Sequence, residues 1–252
     1  MIELKGVKFL YDKPALVVSE GRKKYLLVGD IHIGNERKLA EAGVHAHDLP
    51  HYMANEIDSL AIENHARTIV LMGDVKDSLL RPDKFEKMQL DEFFYELSKY
   101  DLKAIRGNHD SYMGSFGGVE WVDEFLTGDF AMMHGHKWPS EAAMKRKVLI
   151  TAHNHIAVEI KDRNGRIRNE KAWLVTAASD ANIGKFYERH RAEYCVTMPA
   201  FNNFITGMPV NRGLPNRSNI SPLFRNSLFD YENGRVFTLR GEFLGLVKDI
   251  ES

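Results

Sequence analysis

Five short polar clusters punctuate the chain between residues 30 and 155: Asp30-Ile31-His32, Gly73-Asp74-Val75-Lys76-Asp77, Arg106-Gly107-Asn108-His109-Asp110, His134-Gly135-His136 and Ala152-His153-Asn154-His155. Each gathers side chains that can bind a cation or move a proton. Carboxylates and the amide oxygen of Asn108 are hard ligands, and imidazoles suit transition metals. His109 can exchange a proton near neutral pH, and Asp110 beside it could orient that ring or hold its proton. Asp30 and His32 stand two apart, so an extended segment would aim both to one side. Any one cluster alone reads equally well as a polar turn after a strand. Together, Asp30, His32, Asp74, Asn108, His134, His153 and His155 make seven mixed nitrogen and oxygen ligands. One catalytic zinc wants three protein ligands. The set suits two divalent ions sharing one carboxylate, with Mn, Fe, Zn or Ni favoured over Mg or Ca by the histidines.

The elements that must position these clusters show in the hydropathy. The runs 25–28, 68–72, 102–105, 130–133 and 148–151 are predominantly apolar, as strands covered on both faces should be. Each ends in one of the clusters, which matches the gathering of ligands at the carboxyl ends of strands in α/β sheets. Residues 7–18 and 25–28 flank Glu20-Gly21-Arg22 as a hairpin. Asp48 and Pro50 mark a helix start, followed by Met53, Ile57, Leu60 and Ala61 at helical spacing. A second helix is expected from Lys84 to Ser98, packing Phe85, Met88, Phe93, Phe94 and Leu97. Gly114, Gly117 and Gly118 place a loop at 111–120, beside the site, and Ser140 caps a short helix. Asn164-Gly165 and Asn233-Gly234 read as hairpin turns, with a last core strand over 193–198. Residues 206–227 have no periodicity. His45, His47, His51 and His65 read as solvated loop or helix-surface residues, since no carboxylate stands at matched spacing.

The chain has 252 residues, 44% hydrophobic and 27% charged, with a net charge of −1. That is one globular domain over 1–252, without a general polyanion-binding surface. Cys195 is the one cysteine, so no internal disulfide forms, and its apolar surroundings suggest a buried, inert thiol. No signal segment or membrane-length apolar run stands out, and the expected location is cytoplasmic.

The clusters, in their order, resemble the calcineurin-like metallophosphoesterases, whose pattern is Asp-x-His, Gly-Asp-x-x-Asp, Gly-Asn-His-Asp/Glu, His-Gly and Gly-His-x-His. Ala152 stands where that pattern has glycine, a small change in local backbone geometry. Flanking segments, Ile33-Gly34 with Glu36, Ala42-Gly43-Val44, Met198-Pro199-Ala200-Phe201-Asn202 and Thr206 to Asn211, are similar to the ICC-like phosphoesterases, an archaeal and DNA-ligase-associated type.

The resemblance implies an α/β fold of two mixed sheets packed face to face and flanked by helices. It implies one metal held by Asp30, His32, Asp74 and His155, and a second held by Asp74, Asn108, His134 and His153, with Asp74 bridging. Manganese is the foremost choice, with iron, zinc or nickel as alternatives. A hydroxide between the ions would attack a phosphate ester, and His109, partnered by Asp110, would protonate the leaving oxygen. Phosphodiesters, including nucleotides or nucleic acid, are the expected substrates. A nuclease acting on DNA or RNA ends and a non-catalytic scaffold of the same fold remain alternatives. Candidate substrate contacts are His136 and the arginines of the irregular segment, Arg212, Arg217 and Arg225.

Overall fold

The computed structural model of the chain describes residues 4–41, 43, 48–114, 116–162, 164–212 and 221–250. Two mixed sheets stack face to face. The first runs in the order β1 (Val7–Phe9), β2 (Leu16–Glu20), β3 (Lys23–Val28), β4 (Thr68–Leu71), β5 (Asp101–Ile105) and β6 (Glu120–Val122). Its first three strands are antiparallel, and β3 to β6 are parallel. The second sheet contains β7 (Glu124–Thr127), β8 (Phe130–Met133), β9 (Val148–Thr151), β10 (Ile156–Lys161), β11 (Ile167–Ala177), β12 (Tyr194–Thr197) and β13 (Met208–Pro209). Their order is β13-β10-β11-β12-β9-β8-β7. Branching from β11 are β14 (Arg235–Thr238) and β15 (Phe243–Leu246).

Side-chain alternation along each strand builds three cores. On β3, Tyr25 and Leu27 face the second sheet, whereas Leu26 and Val28 face outward. The inter-sheet core adds Val70 and Met72 from the first sheet and Phe130, Met132, Val148, Ile150, Trp173 and Val196 from the second. The outer face of the first sheet packs on α2 (Leu49–Asn64) and α3 (Lys84–Glu96) through Met53, Ile57, Leu60, Leu90 and Phe93. The outer face of the second sheet takes the short helices α4 (Glu141–Met144), α5 (Asp180–Ile183) and α6 (Pro222–Arg225) through Met144, Ile183, Leu223 and Phe224. Because both faces of both sheets are covered, the central strands are apolar at most positions, which is why they read as nearly continuous runs. The remaining helix, α1 (Glu36–Glu41), follows the first cluster.

Several local expectations need correction. Asp48 makes no side-chain cap bond to α2, so Pro50 and burial of the apolar face define that start. Asp83 does cap α3, accepting from the amides of Phe85 and Glu86 at 3.0 Å each. Asn233-Gly234 is not a hairpin turn. It precedes β14, where a Cβ on Gly234 would meet Leu174 Cδ1 at 2.7 Å. The turn of that hairpin is at 239–242, with Gly241 at φ +82°. The hairpin at Asn164-Gly165 forms, but its second strand starts at Ile167 and pairs with β10 over 157–161. The segment 36–41 folds as α1, and the region 206–227 contains β13 and α6. His51 is exposed and pairs with Glu96, and His65 closes α2 in the left-handed region at φ 54°. His45 and His47 lie outside the described residues.

Candidate metal centre

Strands β3, β4, β5, β8 and β9 end side by side, and the residues that follow each one carry the polar clusters. The turns there are tight and mutually bonded. Asp30 N donates to Gly73 O at 3.0 Å, His32 N to Asp74 O at 2.9 Å and Ile33 N to Val75 O at 2.8 Å. Asp30, His32, Asp74, His153 and His155 have φ of 55°, 49°, 49°, 67° and 43°. These are five of the nine non-glycine residues with positive φ among those described. Each such conformation costs about 1–3 kcal/mol and persists where the surroundings enforce it, as at functional sites. Asp30 and His32 therefore converge because the chain turns sharply, not through strand alternation.

The ligand atoms gather in two groups that meet at Asp74. Those of Asp30, His32, Asp74 and His155 all lie within 4.8 Å of one another, as do those of Asp74, His134 and His153. In the first group His32 Nε2 stands 3.3 Å from His155 Nε2, which is 3.3 Å from Asp30 Oδ1. In the second, His134 Nε2 stands 3.2 Å from Asp74 Oδ2 and 3.2 Å from Asn108 Oδ1. Asp74 Oδ2 is also 3.9 Å from His32 Nε2, so this one oxygen faces both groups. Asp74 Oδ1 is occupied, accepting from His109 N at 2.8 Å.

This donor set fits divalent ions. Asp30, His32, Asp74 and His134 are all buried, and an unpaired charge there would be costly. Ligand atoms about 2.1 Å from one ion stand roughly 3–3.5 Å apart, the spacing of the nearest pairs here, at 3.2 and 3.3 Å. Groups behind the ligands orient them. His134 donates Nδ1–H to Met72 O at 2.9 Å, leaving the Nε2 lone pair free for a metal. His32 Nδ1 faces Asp77 Oδ1 at 3.4 Å. Burial acts to raise the carboxyl of Asp74, but the buried His134 imidazole outweighs it and holds Asp74 well below the usual carboxylate range. Burial likewise opposes charge on His134, yet Asp74 and Asp30 push it up to about 9. Burial and the neighbouring His134 push His153 down to about 4. A cation held by these groups would compete with the proton that Asp74 and Asp30 favour on His134.

Asp110 does not partner the His109 ring, contrary to the expectation from sequence. Its Oδ1 accepts from the amides of Val75 and Lys76 at 2.9 and 3.3 Å, and its Oδ2 from Gly107 N at 2.8 Å. It joins the second and third clusters. The ring is instead oriented by the Asp77 carbonyl, which accepts from His109 Nδ1. Asp77 therefore steadies both His32 and His109, a role legible only in the last position of its Gly-Asp-x-x-Asp signature. Gly107 is dictated by the same packing, since a Cβ there would fall 2.1 Å from Asp74 Oδ1. Gly107→Ala is expected to displace Asp74, lower stability by about 1–3 kcal/mol and weaken metal binding, measured by thermal melting and metal titration.

Of the proposed substrate contacts, His136 lies beside the centre, its ring centroid 5.3 Å from that of His134. Burial, and then His134, hold it down to about 4. Arg212 is committed elsewhere: its Nε and Nη2 donate to Glu159 Oε1 at 2.9 and 2.6 Å. Arg225 is exposed at the end of α6 and does not line the cleft over the centre. Arg217 lies outside the described residues. Neither Arg212 nor Arg225 is among the residues that line this cleft. Cys195 is buried and its thiol is pushed up to about 12 by that burial.

Sequence reading placed the irregular segment from 206 onward near the site for its arginines, but did not reach the rest of the floor and rim of this cleft. Asn35, Asn154 and the segment 204–208 line it with Asn108, His109, His153 and His155. That segment is tied down by Lys171 of β11, whose Nζ reaches Ala200 O at 2.6 Å, Asn202 O at 2.9 Å and Asn203 Oδ1 at 3.1 Å. Burial pulls Lys171 down to about 8. Between pH 8 and the ordinary lysine value near 10.5 the unfolded chain therefore binds more protons at this position than the folded one. Stability contributed by Lys171 should rise with pH across that window, a slope that denaturant titration of Lys171→Met should lack.

No curated protein sequence matches the chain. The family described as calcineurin-like phosphoesterase matches residues 23–197. Among solved structures, the nuclease MPE of Pseudomonas putida shares 20% identity, with 95% of this chain and 96% of that one covered and a TM-score of 0.61. The phosphoesterase Yfce of E. coli shares 16% identity over 88% of this chain and 96% of that one, with a TM-score of 0.39. Among the described residues no helix is long and apolar enough to cross a membrane. With a family match over most of its length and a buried carboxylate–histidine cluster where the strands end, the chain belongs to the calcineurin-like phosphoesterases and is a metal-dependent hydrolase of phosphate esters.

Proposed function

We propose that this hydrolase acts on phosphodiesters, foremost those of nucleotides or nucleic acid, using two divalent ions with manganese preferred. The first ion would be held by Asp30, His32, Asp74 and His155, the second by Asp74, Asn108, His134 and His153. When bound, the ions supply neutralisation of phosphoryl charge and acidify water at neutral pH. The chain's own contribution to the chemistry is His109. Its imidazole is only partly buried, Nδ1–H is fixed on the Asp77 carbonyl, and Nε2 stands 4.0 Å from Asp74 Oδ2. A protonated Nε2 there would deliver its proton to the departing oxygen.

The diester reading is carried by the lining of the cleft. Among the described residues it contains asparagines, histidines and the apolar segment 204–208, but no lysine or arginine. The ions would meet phosphoryl charge in either ester; a dianionic monoester would bring a second charge with no additional side-chain cation in the cleft lining, whereas a diester brings one charge. The nucleotide reading is supported by the ICC-like flanks and by the P. putida nuclease of the same fold.

The test uses protein stripped of metal, reloaded separately with Mn, Ni, Zn or Mg and assayed on bis(p-nitrophenyl) phosphate, p-nitrophenyl phosphate and single-stranded oligonucleotides. The expected result is diester kcat/KM above monoester kcat/KM, greatest with Mn, and cleavage of the oligonucleotides. A monoester preference would overturn the diester reading. Diester turnover without oligonucleotide cleavage would overturn the nucleic-acid reading.

A further inference from the structure

Phe204 lines the cleft over the metal centre and is 41% exposed. Large apolar side chains at such a place usually fold back against neighbours, but no aromatic ring contacts this one among the described residues. The backbone beneath it is unusually well secured. Asn202, fully buried, accepts from Phe204 N at 2.9 Å through Oδ1 and donates Nδ2–H to Ile31 O at 2.9 Å. Phe201 N donates to Gly29 O at 2.8 Å, and Lys171 fixes the carbonyls of Ala200 and Asn202. At the far end Met208 N donates to His155 O at 2.8 Å, and Gly207 passes so close that a Cβ would meet that oxygen at 2.4 Å. Both ends of the arch are thus bonded to turns that carry proposed ligands, the Asp30-Ile31-His32 turn and the His153-Asn154-His155 turn. The backbone that carries the ring therefore has little freedom left to lose on binding.

We propose that Phe204 is a stacking platform for the nucleobase next to the scissile phosphate, with Asn202 and Lys171 as its positioning residues. This rests on the nucleic-acid reading of the site. Among the described residues that line the cleft beside Phe204 there is no lysine or arginine, so on this side of the centre a nucleotide chain meets neutral surfaces, and every base has a face that an aromatic ring can cover irrespective of sequence. Platform and metal centre then divide the substrate between them, base on one and diester on the other.

The test compares two single-stranded oligonucleotides with identical phosphates, one carrying bases throughout and one abasic across the cleaved region. Stacking on one ring predicts that the wild-type protein cleaves the base-bearing strand with kcat/KM about 5- to 100-fold higher. Phe204→Ala and Phe204→Leu should bring that ratio close to one, and Phe204→Trp should preserve it. The leucine variant keeps apolar bulk without an aromatic face, so a folded protein is available even if alanine destabilises the arch. In parallel, a 2-aminopurine oligonucleotide mixed with metal-free protein should be quenched by wild type and not by Phe204→Leu. A wild-type ratio near one, or a ratio and quenching unchanged in Phe204→Leu, overturns the platform. Failure of the wild type to cleave either strand while it cleaves bis(p-nitrophenyl) phosphate instead overturns the nucleic-acid reading beneath it.

Discussion

Asp74→Asn should leave a folded protein that binds metal weakly and hydrolyses phosphate esters at least about 10³-fold more slowly, the scale of several kcal/mol of charge stabilisation supplied by a metal. The reason lies in one oxygen. Asp74 Oδ2 is 3.2 Å from His134 Nε2 and 3.9 Å from His32 Nε2, so it belongs to both groups of ligands. No other described residue appears in both the Asp30 group and the His134 group. Asparagine has the same shape and fits the same cavity, but it removes the negative charge and replaces one oxygen by an N–H₂ donor. If the amide oxygen stays on His109 N, where Asp74 Oδ1 now accepts at 2.8 Å, the donor faces the imidazole nitrogens and both sites lose a ligand at once. Removal of Asp30 or Asn108 should by contrast weaken one group more than the other. Elemental analysis after gel filtration, alongside turnover at saturating metal, measures both effects. Wild-type turnover by Asp74→Asn in excess EDTA would remove the two-metal reading.

The clusters that carry the candidate ligands were legible in the sequence because each follows an apolar strand directly. Val28, Leu71, Ile105, Met133 and Thr151 end their strands within a few residues of Asp30, Asp74, Asn108, His134 and His153. Parallel strands in register must then bring these ends together. What stayed hidden depends on contacts between distant segments. Asp110 follows His109 in sequence, yet the turn at Gly107 sends its carboxylate to the amides of Val75 and Lys76. Arg212 sits in a polar, irregular stretch, and only the pairing of that stretch with β10 shows its guanidinium bound to Glu159. Lys171 looks like one more surface cation of a hairpin until β11 places it beneath the carbonyls of 200–202. The left-handed backbone of five candidate ligand residues is only faintly signalled by their types: aspartate and histidine tolerate positive φ better than most residues, but most of them in any chain do not adopt it. Hydropathy therefore locates strand ends, whereas long-range hydrogen bonds decide which polar residue at each end turns inward and which braces a loop.

His109→Asn should keep the metals and lose about 10²–10⁴-fold in turnover, but only for substrates whose leaving group needs a proton. His109 is in neither group shared by Asp74, and its ring is oriented by the Asp77 carbonyl. Its amide, not its side chain, holds Asp74 Oδ1, and asparagine retains that amide, so the placement of Asp74 survives the substitution. The partial exposure of the ring, 24%, leaves Nε2 accessible from the cleft. Two opposite results distinguish a proton donor from a ligand or a brace. A diester with an alkoxide or sugar hydroxyl as leaving group must be protonated as the bond breaks, and the variant should lose most of its rate there. A nitrophenolate departs as a stable anion, and the loss there should be small. The alkaline limb of the kcat/KM profile, which reports loss of the acid's proton from the free enzyme, should disappear in the variant for the alkoxide substrate. Equal losses on both substrates, or a drop in metal content matching the drop in rate, would show that His109 acts through the centre's assembly and not through a proton.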